Sequence, residues 1–247
     1  MLSTNIKKIG SSRAGFVRSA ALIAAFLVLG ATSAQATLIS GLFTTGVDGS
    51  GNALPGNTVD PHYTLISSDD ANFPPTVAKT VISPIPAAWQ VNAPNTPVAT
   101  WISANPVQTG DTGPAGLAAG TYIYRLTFTL AANQNPALAS ITGNWAADDL
   151  SMIFLNGVYV PNLTNLSGLS GTPQLQPFNI PSGGNQNLFV AGENHLDFIV
   201  VNQAFGTSGL LVSDITGNAP LIPEPSTVVL SLIGGLGLGY SAWRRRR

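Results

Sequence analysis

The chain of 247 residues contains no cysteine. Because the thiolate is the reactive species of cysteine chemistry, this absence excludes thiol catalysis, cysteine–zinc sites and thiol redox roles. It also excludes disulfides, so a folded domain depends on its hydrophobic core. The middle of the chain, of about 190 residues, is long enough to bury such a core.

Cations are scarce in that middle part. Of ten Lys and Arg residues, four precede residue 20 and four end the chain, which leaves only Lys79 and Arg125 between Thr37 and Ser226. All eleven acidic residues lie in this span and give it a formal charge of −9. An acidic surface argues against nucleic acid, anionic lipid and acidic polymers as direct ligands. It leaves room for Ca²⁺, which prefers oxygen ligands.

The first 36 residues predict a secretory signal peptide. A basic region is followed by an apolar run over residues 20–30 and by Ala34-Gln-Ala36, an A-x-A cleavage site. The basic residues are Lys7, Lys8, Arg13 and Arg18. We expect signal peptidase to remove residues 1–36, so that the mature chain begins near Thr37 outside the cytoplasm.

The last 25 residues combine a short motif, an apolar run and a basic end. Residues 219–226 are a predicted linker, residues 227–243 a predicted transmembrane helix in the inner membrane, and residues 244–247 a basic cytoplasmic tail. As a helix the apolar run is about 25 Å long, which is marginal for a hydrocarbon core of ~30 Å. The motif and the basic end consist of Pro223, Glu224, Pro225, Arg244, Arg245, Arg246 and Arg247.

This arrangement resembles the PEP-CTERM sorting signal of Gram-negative bacteria that make exopolysaccharide. The resemblance implies recognition by an exosortase, a membrane transpeptidase that would cleave near Pro223-Glu224-Pro225 and release or re-anchor the rest of the chain. The alternative is an ordinary C-terminal anchor.

Residues 37–218 predict an all-β ectodomain, a single jelly-roll-like β-sandwich. The clearest strand covers residues 121–130, where every second residue is apolar. Residues 150–155 and 158–160 flank Asn156-Gly157, a type I′ hairpin turn, and Pro161 is expected to close the hairpin. Further strands are predicted over residues 188–190, 195–201 and 210–215, and less regular ones over residues 63–66, 77–82 and 98–103.

Two stretches resemble galactose-binding-like β-sandwich domains: GNWAADDLSMIFLNG over residues 143–157 and AGENHLDFIVVN over residues 191–202. In such domains an acidic turn precedes a strand ending in Leu-Asn-Gly, and a Gly-x-Asn turn leads into Leu-x-Phe-x-Val. Residues 45–52 with 59–63 look like the N-terminal signature of exported PEP-CTERM proteins of unassigned activity. These resemblances imply a fold and leave the ligand open.

No catalytic residue is predicted. His195 and Asp197 share one face of a strand, but the sequence has no Gly-x-Ser-x-Gly nucleophile elbow beside which they could act. His62 lies in a turn next to Asp60, where it is expected to hydrogen-bond a loop. Two histidines so placed make no recognisable zinc site.

Four carboxylates are candidate ligands of a structural Ca²⁺, namely Asp48, Asp60, Asp148 and Asp149. Asp48 begins an alternating oxygen pattern, but Ala53 and Val59 stand where an EF-hand has Gly and Glu, so a simple turn is the alternative. Glycoside hydrolysis needs two carboxyls that converge at roughly 5–10 Å, whereas adjacent residues point apart. Capping of a turn is therefore the alternative for Asp148 and Asp149.

The aromatic residue considered for stacking on a sugar is Trp145, because it adjoins the acidic turn. Core packing is the alternative for Trp145, as it is for Trp89 and Trp101.

Together these features predict a non-catalytic protein of the cell surface or extracellular matrix. It would be sorted by an exosortase and associated with exopolysaccharide, with no cofactor other than a structural Ca²⁺. One alternative is a secreted glycan-active enzyme. Another is an ice-binding-type surface protein, for which only Thr127-Phe-Thr129 resembles the required Thr-x-Thr ladder.

Overall fold

A computed structural model describes residues 36–81, 85–94, 96, 98–108, 116–181, 188–222 and 225–245. Two compact units are present, one ending at Leu221 and one that includes residues 222–247. The predicted signal peptide up to residue 35, with Ala34, lies outside the described ranges, as do Pro223, Glu224, Arg246 and Arg247 of the predicted sorting signal.

Strands dominate the first unit, which confirms the all-β prediction. They are β1 (Ala36–Leu38), β2 (Val59–Ser68), β3 (Thr76–Thr80), β4 (Ile102–Ser103), β5 (Gly120–Leu130), β6 (Ser140–Asp148), β7 (Leu150–Leu155), β8 (Val158–Asn165), β9 (Gln176–Ile180), β10 (Gly192–Asn202) and β11 (Gly209–Pro220). One short helix, α1 (Ala87–Asn92), lies between β3 and β4, and 3₁₀ turns cover Pro136–Leu138 and Ser167–Ser170.

The strands form one continuous antiparallel sheet in the order β8-β7-β10-β5-β2-β3-β4-β11-β6-β9, and β1 adds to β11. This sheet curls back on itself, because Phe178 of β9 packs against Phe198 of β10 with ring centroids 6.2 Å apart. The predicted sandwich is thus corrected in one respect: its two facing layers belong to a single, nearly closed sheet. The short strand β4 makes the connection, since it pairs with β3 on one side and β11 on the other.

The main core lies inside this curl. The predicted strand over residues 121–130 is β5, and its predicted inward side chains are at most 1% exposed: Tyr122, Tyr124, Leu126, Phe128 and Leu130. The neighbouring strand β10, which pairs with β5, contributes Leu196, Phe198 and Val200, all fully buried. Burial of each such side chain stabilises the fold by roughly 1.5–3 kcal/mol.

A second, smaller core covers the part of the outer face of β6 and β11 around Ala146 and Leu211. Trp89 of α1 stacks on Trp101 with ring centroids 4.1 Å apart, and both pack with Ala146 and Leu211. Here β6 and β11 are buried on both faces. This double burial explains why they contain the unbroken apolar runs at residues 145–147 and 210–212.

Some predicted strands are corrected. Residues 188–190 form no strand, because the side chain of Asn194 accepts from the N–H of Val190 at 2.9 Å and donates to its carbonyl at 2.8 Å. These are the groups that a sheet ladder would use. Strand β8 continues past Pro161, which does not end the hairpin, because β8 is an edge strand and proline is tolerated there. Of residues 98–103 only Ile102 and Ser103 are in a strand.

The unit boundaries also differ from the prediction. Strand β11 extends to Pro220, so the expected linker over residues 219–226 begins inside a strand. Ala36, expected to leave with the signal peptide, lies in β1 opposite Pro220, while Thr37 and Leu38 continue the pairing.

The second unit contains the helix α2 (Pro225–Arg244), which confirms a helix over residues 227–243 and places Arg244 at its end. Among the described residues, no helix is both long and apolar enough to cross a membrane. The predicted transmembrane helix is corrected accordingly. Four of the residues between 234 and 239 are glycine, which contributes no apolar side chain.

Candidate functional site

Asp148 and Asp149 form a corner where the chain passes from β6 to β7, and a cis peptide bond joins them. Asp148 is 3% exposed, and its Oδ2 accepts hydrogen bonds from Trp89 Nε1 at 2.8 Å and from Thr207 Oγ1 at 3.0 Å. The Oδ2 of Asp149 accepts from the backbone N–H of Gln203 at 2.7 Å. Both carboxyls therefore fasten the loop between β10 and β11, as the capping interpretation predicts.

Burial, together with the hydrogen bond and the charge of the neighbouring Asp149 carboxyl, raises the pKa of Asp148 to about 7, although the hydrogen bonds from Trp89 and Thr207 oppose the rise. A carboxyl with this pKa could exchange a proton near neutrality. However, Asp148 lies beneath Trp89 and is withdrawn from solvent. The corner therefore does not present two converging carboxyls to a sugar.

Asp48 and Asp60 also have partners other than a metal. The Oδ1 of Asp48 accepts from the N–H groups of Ser50 and Asn52 at 2.8 and 2.9 Å, a turn that lowers the pKa of Asp48, with the backbone bond from Asn52 the largest cause. Asp60 is fully buried and accepts from the N–H groups of Gly46, His62 and Tyr63 at 2.6–3.0 Å.

Asp60 thus joins the two segments that resemble an N-terminal signature, residues 45–52 and 59–63. Burial raises the pKa of Asp60 in spite of its three N–H donors. Within the described ranges, no three His, Cys, Asp or Glu side chains lie close enough together to hold a metal ion.

The two histidines have structural surroundings. His62 stacks on Phe43 with ring centroids 3.5 Å apart. His195 faces outward as expected, with Nδ1 3.3 Å from Thr127 Oγ1. Asp197, on the same face, forms two hydrogen bonds of 2.7 Å with Arg125.

Trp145, considered above for stacking on a sugar, packs in the core, which is the alternative given for it. Trp145 is 2% exposed, its Nε1 donates to Ser151 Oγ at 2.7 Å, and its ring meets Phe178 edge-on at 5.7 Å. It points inward because β6 pairs with β11 in a register that places Trp145 opposite Val212, and both belong to the main core. Trp89 and Trp101, in the second core, are equally buried.

The motifs that resemble galactose-binding-like domains hold turns together. Asn156, in the hairpin turn, donates from Nδ2 to Asn194 Oδ1 at 2.9 Å and accepts from the N–H of His195 at 2.8 Å. Asn156 and Gly157 have φ angles of 53° and 79°, as a type I′ turn requires. Both asparagines therefore act in the scaffold.

An open groove of about 480 Å³ lies on the outer face of β11, β6 and β9. It is lined by Thr142, Gly143, Asn144, Pro177, Phe178, Asn179 and Asp214. Thr142 stands opposite Asn179, and Asn144 opposite Pro177, in two neighbouring cross-strand pairs. The volume falls within the range of ~300–1,000 Å³ typical of ligand sites.

Among the described residues that line this groove, Asp214 is the only charged one. A β-bulge between Ser213 and Thr216 and a φ of 53° turn Asp214 to the outer face. Its Oδ2 accepts from Asn144 Nδ2 and from Ser213 Oγ, both at 3.1 Å. Sequence reasoning missed these residues. The available signal was the polar pair Ser213-Asp214, which interrupts an apolar strand and marks the bulge.

No protein-family model matches the chain, and no curated protein matches it. A solved structure from Bacteroides fragilis, provisionally named a beta-galactosidase, is similar over 66% of this chain at 13% identity with a TM-score of 0.35, and the chain spans 23% of that structure's length. A Stig cyclase (Fisc) from Fischerella sp. TAU is similar over 73% of this chain and 99% of its own, at 10% identity and a TM-score of 0.39. A PA14 sugar-binding domain from an RTX adhesin is similar over 67% of this chain and 100% of its own, at 14% identity and a TM-score of 0.28.

Proposed function

We propose that this is an exported protein of the cell surface or extracellular matrix whose β-domain binds polysaccharide without cleaving it. The observation that carries the proposal is the open groove on β11, β6 and β9, which exposes Thr142, Asn144 and Asn179 around one carboxylate. Hydroxyl and amide groups both donate and accept, which is what the hydroxyls of a sugar require. An open groove also allows a polymer to pass through.

Binding is favoured over catalysis by the state of the acidic groups. Asp148 is buried under Trp89, and Asp149 accepts the N–H of Gln203. Asp197 is bonded to Arg125. None of these carboxylates faces another across the groove, where a hydrolase would need its acid and its second carboxylate.

The test uses the β-domain, residues 37–222, and the exopolysaccharide of the organism that produces the protein. We expect the domain to be retarded in a native gel that contains the polysaccharide, with no release of new reducing ends. A folded domain that binds no polysaccharide would refute the proposal.

A glycan-active enzyme is the second candidate, and the pKa of about 7 at Asp148 favours it, because a general acid works best near the ambient pH. This candidate requires reducing ends to appear with the wild-type protein and to disappear with Asp148→Asn or His195→Ala. Equal release by the wild type and both variants would exclude these residues from catalysis.

We further propose that residues 1–36 direct export and that an exosortase recognises Pro223-Glu224-Pro225 together with Arg244–Arg247. The support is the order of motif, apolar run and basic end, and the concentration of eight of the ten cations in the two terminal segments. Fractionation of cells with and without exosortase, followed by mass spectrometry of the C-terminus, tests this. We expect a C-terminus near residue 223 only when the exosortase is present, and an identical C-terminus in both strains would contradict sorting.

A further inference from the structure

We infer that the groove on β11, β6 and β9 binds a neutral, hydroxyl-rich sugar unit, with the carboxylate of Asp214 as its main hydrogen-bond acceptor. The inference rests on the proposed function and deepens it, because it names the binding residues and the class of sugar.

The Asp214 carboxylate is held in place before any ligand arrives. Asn144 Nδ2 and Ser213 Oγ both donate to Oδ2. Within the described part of the chain, no donor bonds to the second oxygen, Oδ1. One oxygen therefore fixes the orientation while the other stays open for a ligand, and such preorganisation lowers the entropic cost of binding.

The polar surface of the groove has the size of a single sugar ring. Thr142 and Asn179 form one cross-strand pair, and Asn144 and Pro177 form the next pair on the same face. Cross-strand side chains are about 5 Å apart, and residues two apart on one strand are about 7 Å apart. The four positions therefore form a patch with the dimensions of a single sugar ring.

The groups that line the groove are chemically complementary to a sugar. Thr142 and Asn179 are exposed, and within the described ranges neither side chain has a hydrogen-bond partner, so both can donate to or accept from a hydroxyl. Pro177 is exposed beside them and supplies an apolar surface for the C–H face of a sugar. Ligand sites combine apolar surface with a few placed polar groups in this way.

The negative charge of Asp214 disfavours an anionic sugar. The described lining residues include no Lys or Arg, so a uronate or a sulfated sugar would face Asp214 without a neutralising cation from them. Juxtaposed like charges disfavour such a ligand. A protonated amino sugar would be attracted to Asp214, but the remaining polar groups are neutral amides and a hydroxyl, which match hydroxyls better.

The experiment measures affinity by titration calorimetry for the β-domain and three matched variants. Asp214→Asn removes the charge and keeps the shape, and Asn tolerates a positive φ. Thr142→Val removes a hydroxyl at constant size. Asn218→Ala is the control, because Asn218 is exposed on the same strand but does not line the groove. Thermal unfolding of each variant verifies that it is folded.

The probes are dextran, galactan and mannan as neutral polymers, polygalacturonate as an anionic polymer and chitosan as a cationic one. We expect at least one neutral probe to bind, about five- to tenfold more weakly to Asp214→Asn because a charge-assisted hydrogen bond becomes a neutral one. Thr142→Val should weaken binding about threefold, and Asn218→Ala should leave it unchanged.

The possible results separate the two proposals. Neutral binding that is unaffected by Asp214→Asn and Thr142→Val overturns the groove assignment and leaves the proposed function standing. Binding to chitosan or polygalacturonate in place of the neutral probes overturns the assigned class of sugar. No binding to any probe or to host polysaccharide by a folded domain overturns both proposals.

Discussion

Substitution of Asp148 by Asn should change how the stability of the β-domain depends on pH. The buried Asp148 carboxyl accepts hydrogen bonds from Trp89 and Thr207 through one oxygen. The amide oxygen of Asn can accept the same two bonds. The substitution therefore keeps the packing and the donors satisfied, and removes only the ionisation.

The magnitude follows from the pKa. Burial and the adjacent Asp149 carboxyl raise the pKa of Asp148 from its ordinary 3.8 to about 7, so the folded protein binds this proton more tightly than the unfolded chain does. The resulting stabilisation is complete below pH ~4 and is lost as the pH rises through about 7. A difference of about three in pKa, at about 1.4 kcal/mol for each, corresponds to an upper value of about 4 kcal/mol.

Urea unfolding between pH 4 and pH 8, followed by tryptophan fluorescence, measures this difference. We expect similar free energies of unfolding for the wild type and Asp148→Asn at pH 4, and a more stable variant by up to about 4 kcal/mol at pH 8. Asp214→Asn, which removes an exposed carboxylate, is the control and should follow the wild type. Parallel pH profiles for the wild type and Asp148→Asn would refute the reasoning.

Two further substitutions test the packing. Gly46→Ala should lower the free energy of unfolding by about 2 kcal/mol or more, because Gly46 has a φ of 69° and an added Cβ would overlap Thr100 Oγ1. Gly49→Ala is the control. No atom lies within 4 Å of the added Cβ, so this variant should change the free energy of unfolding by less than about 0.5 kcal/mol. Trp145→Phe should destabilise the fold by about 2 kcal/mol, because Ser151 Oγ loses its buried partner, and it should leave polysaccharide binding unchanged. Chemical unfolding measures the first effect and gel retardation the second. A loss of binding in a folded variant would show that Trp145 contacts the ligand.

Elements set by local pattern were predictable from the sequence. The alternation over residues 121–130 identifies β5 and its buried face, and Asn156-Gly157 identifies the turn between β7 and β8. Both depend on residues adjacent in the chain. The alternation of His195 and Asp197 with Leu196 and Phe198 likewise places the two polar side chains on the face opposite the main core, where Arg125 covers Asp197.

Elements set by distant contacts were not predictable. β6 does not alternate near its end, because the second core covers Ala146 while the main core receives Trp145 and Ala147. The continuity of the sheet depends on β4, which has two residues. A strand that short leaves no recognisable pattern, and its pairing with β11 involves a partner about a hundred residues away.

The groove illustrates the same limit for function. Its residues come from three strands that are separated in sequence, and each of Thr142, Asn144 and Asn179 alone is an ordinary polar residue on an outer face. Only the bulge in β11 leaves a trace in the sequence, where Ser213-Asp214 interrupts an apolar run. Asp148 and Asp149 are more conspicuous in the sequence than the groove residues, because adjacent carboxylates form a recognisable pattern whether they face solvent or the interior.

The few cations of the β-domain do not favour an anionic ligand. Arg125 is one of two cations between residues 37 and 226. Its guanidinium donates two hydrogen bonds to the Asp197 carboxylate, and this bonding raises the pKa of Arg125. Its charge is therefore already compensated and cannot attract a polyanion. At physiological ionic strength, charges act over about 8 Å, so Asp214 is not screened from a ligand in its own groove. Repulsion of anionic sugars thus operates both across the surface and within the groove, whereas a neutral polysaccharide meets neither barrier.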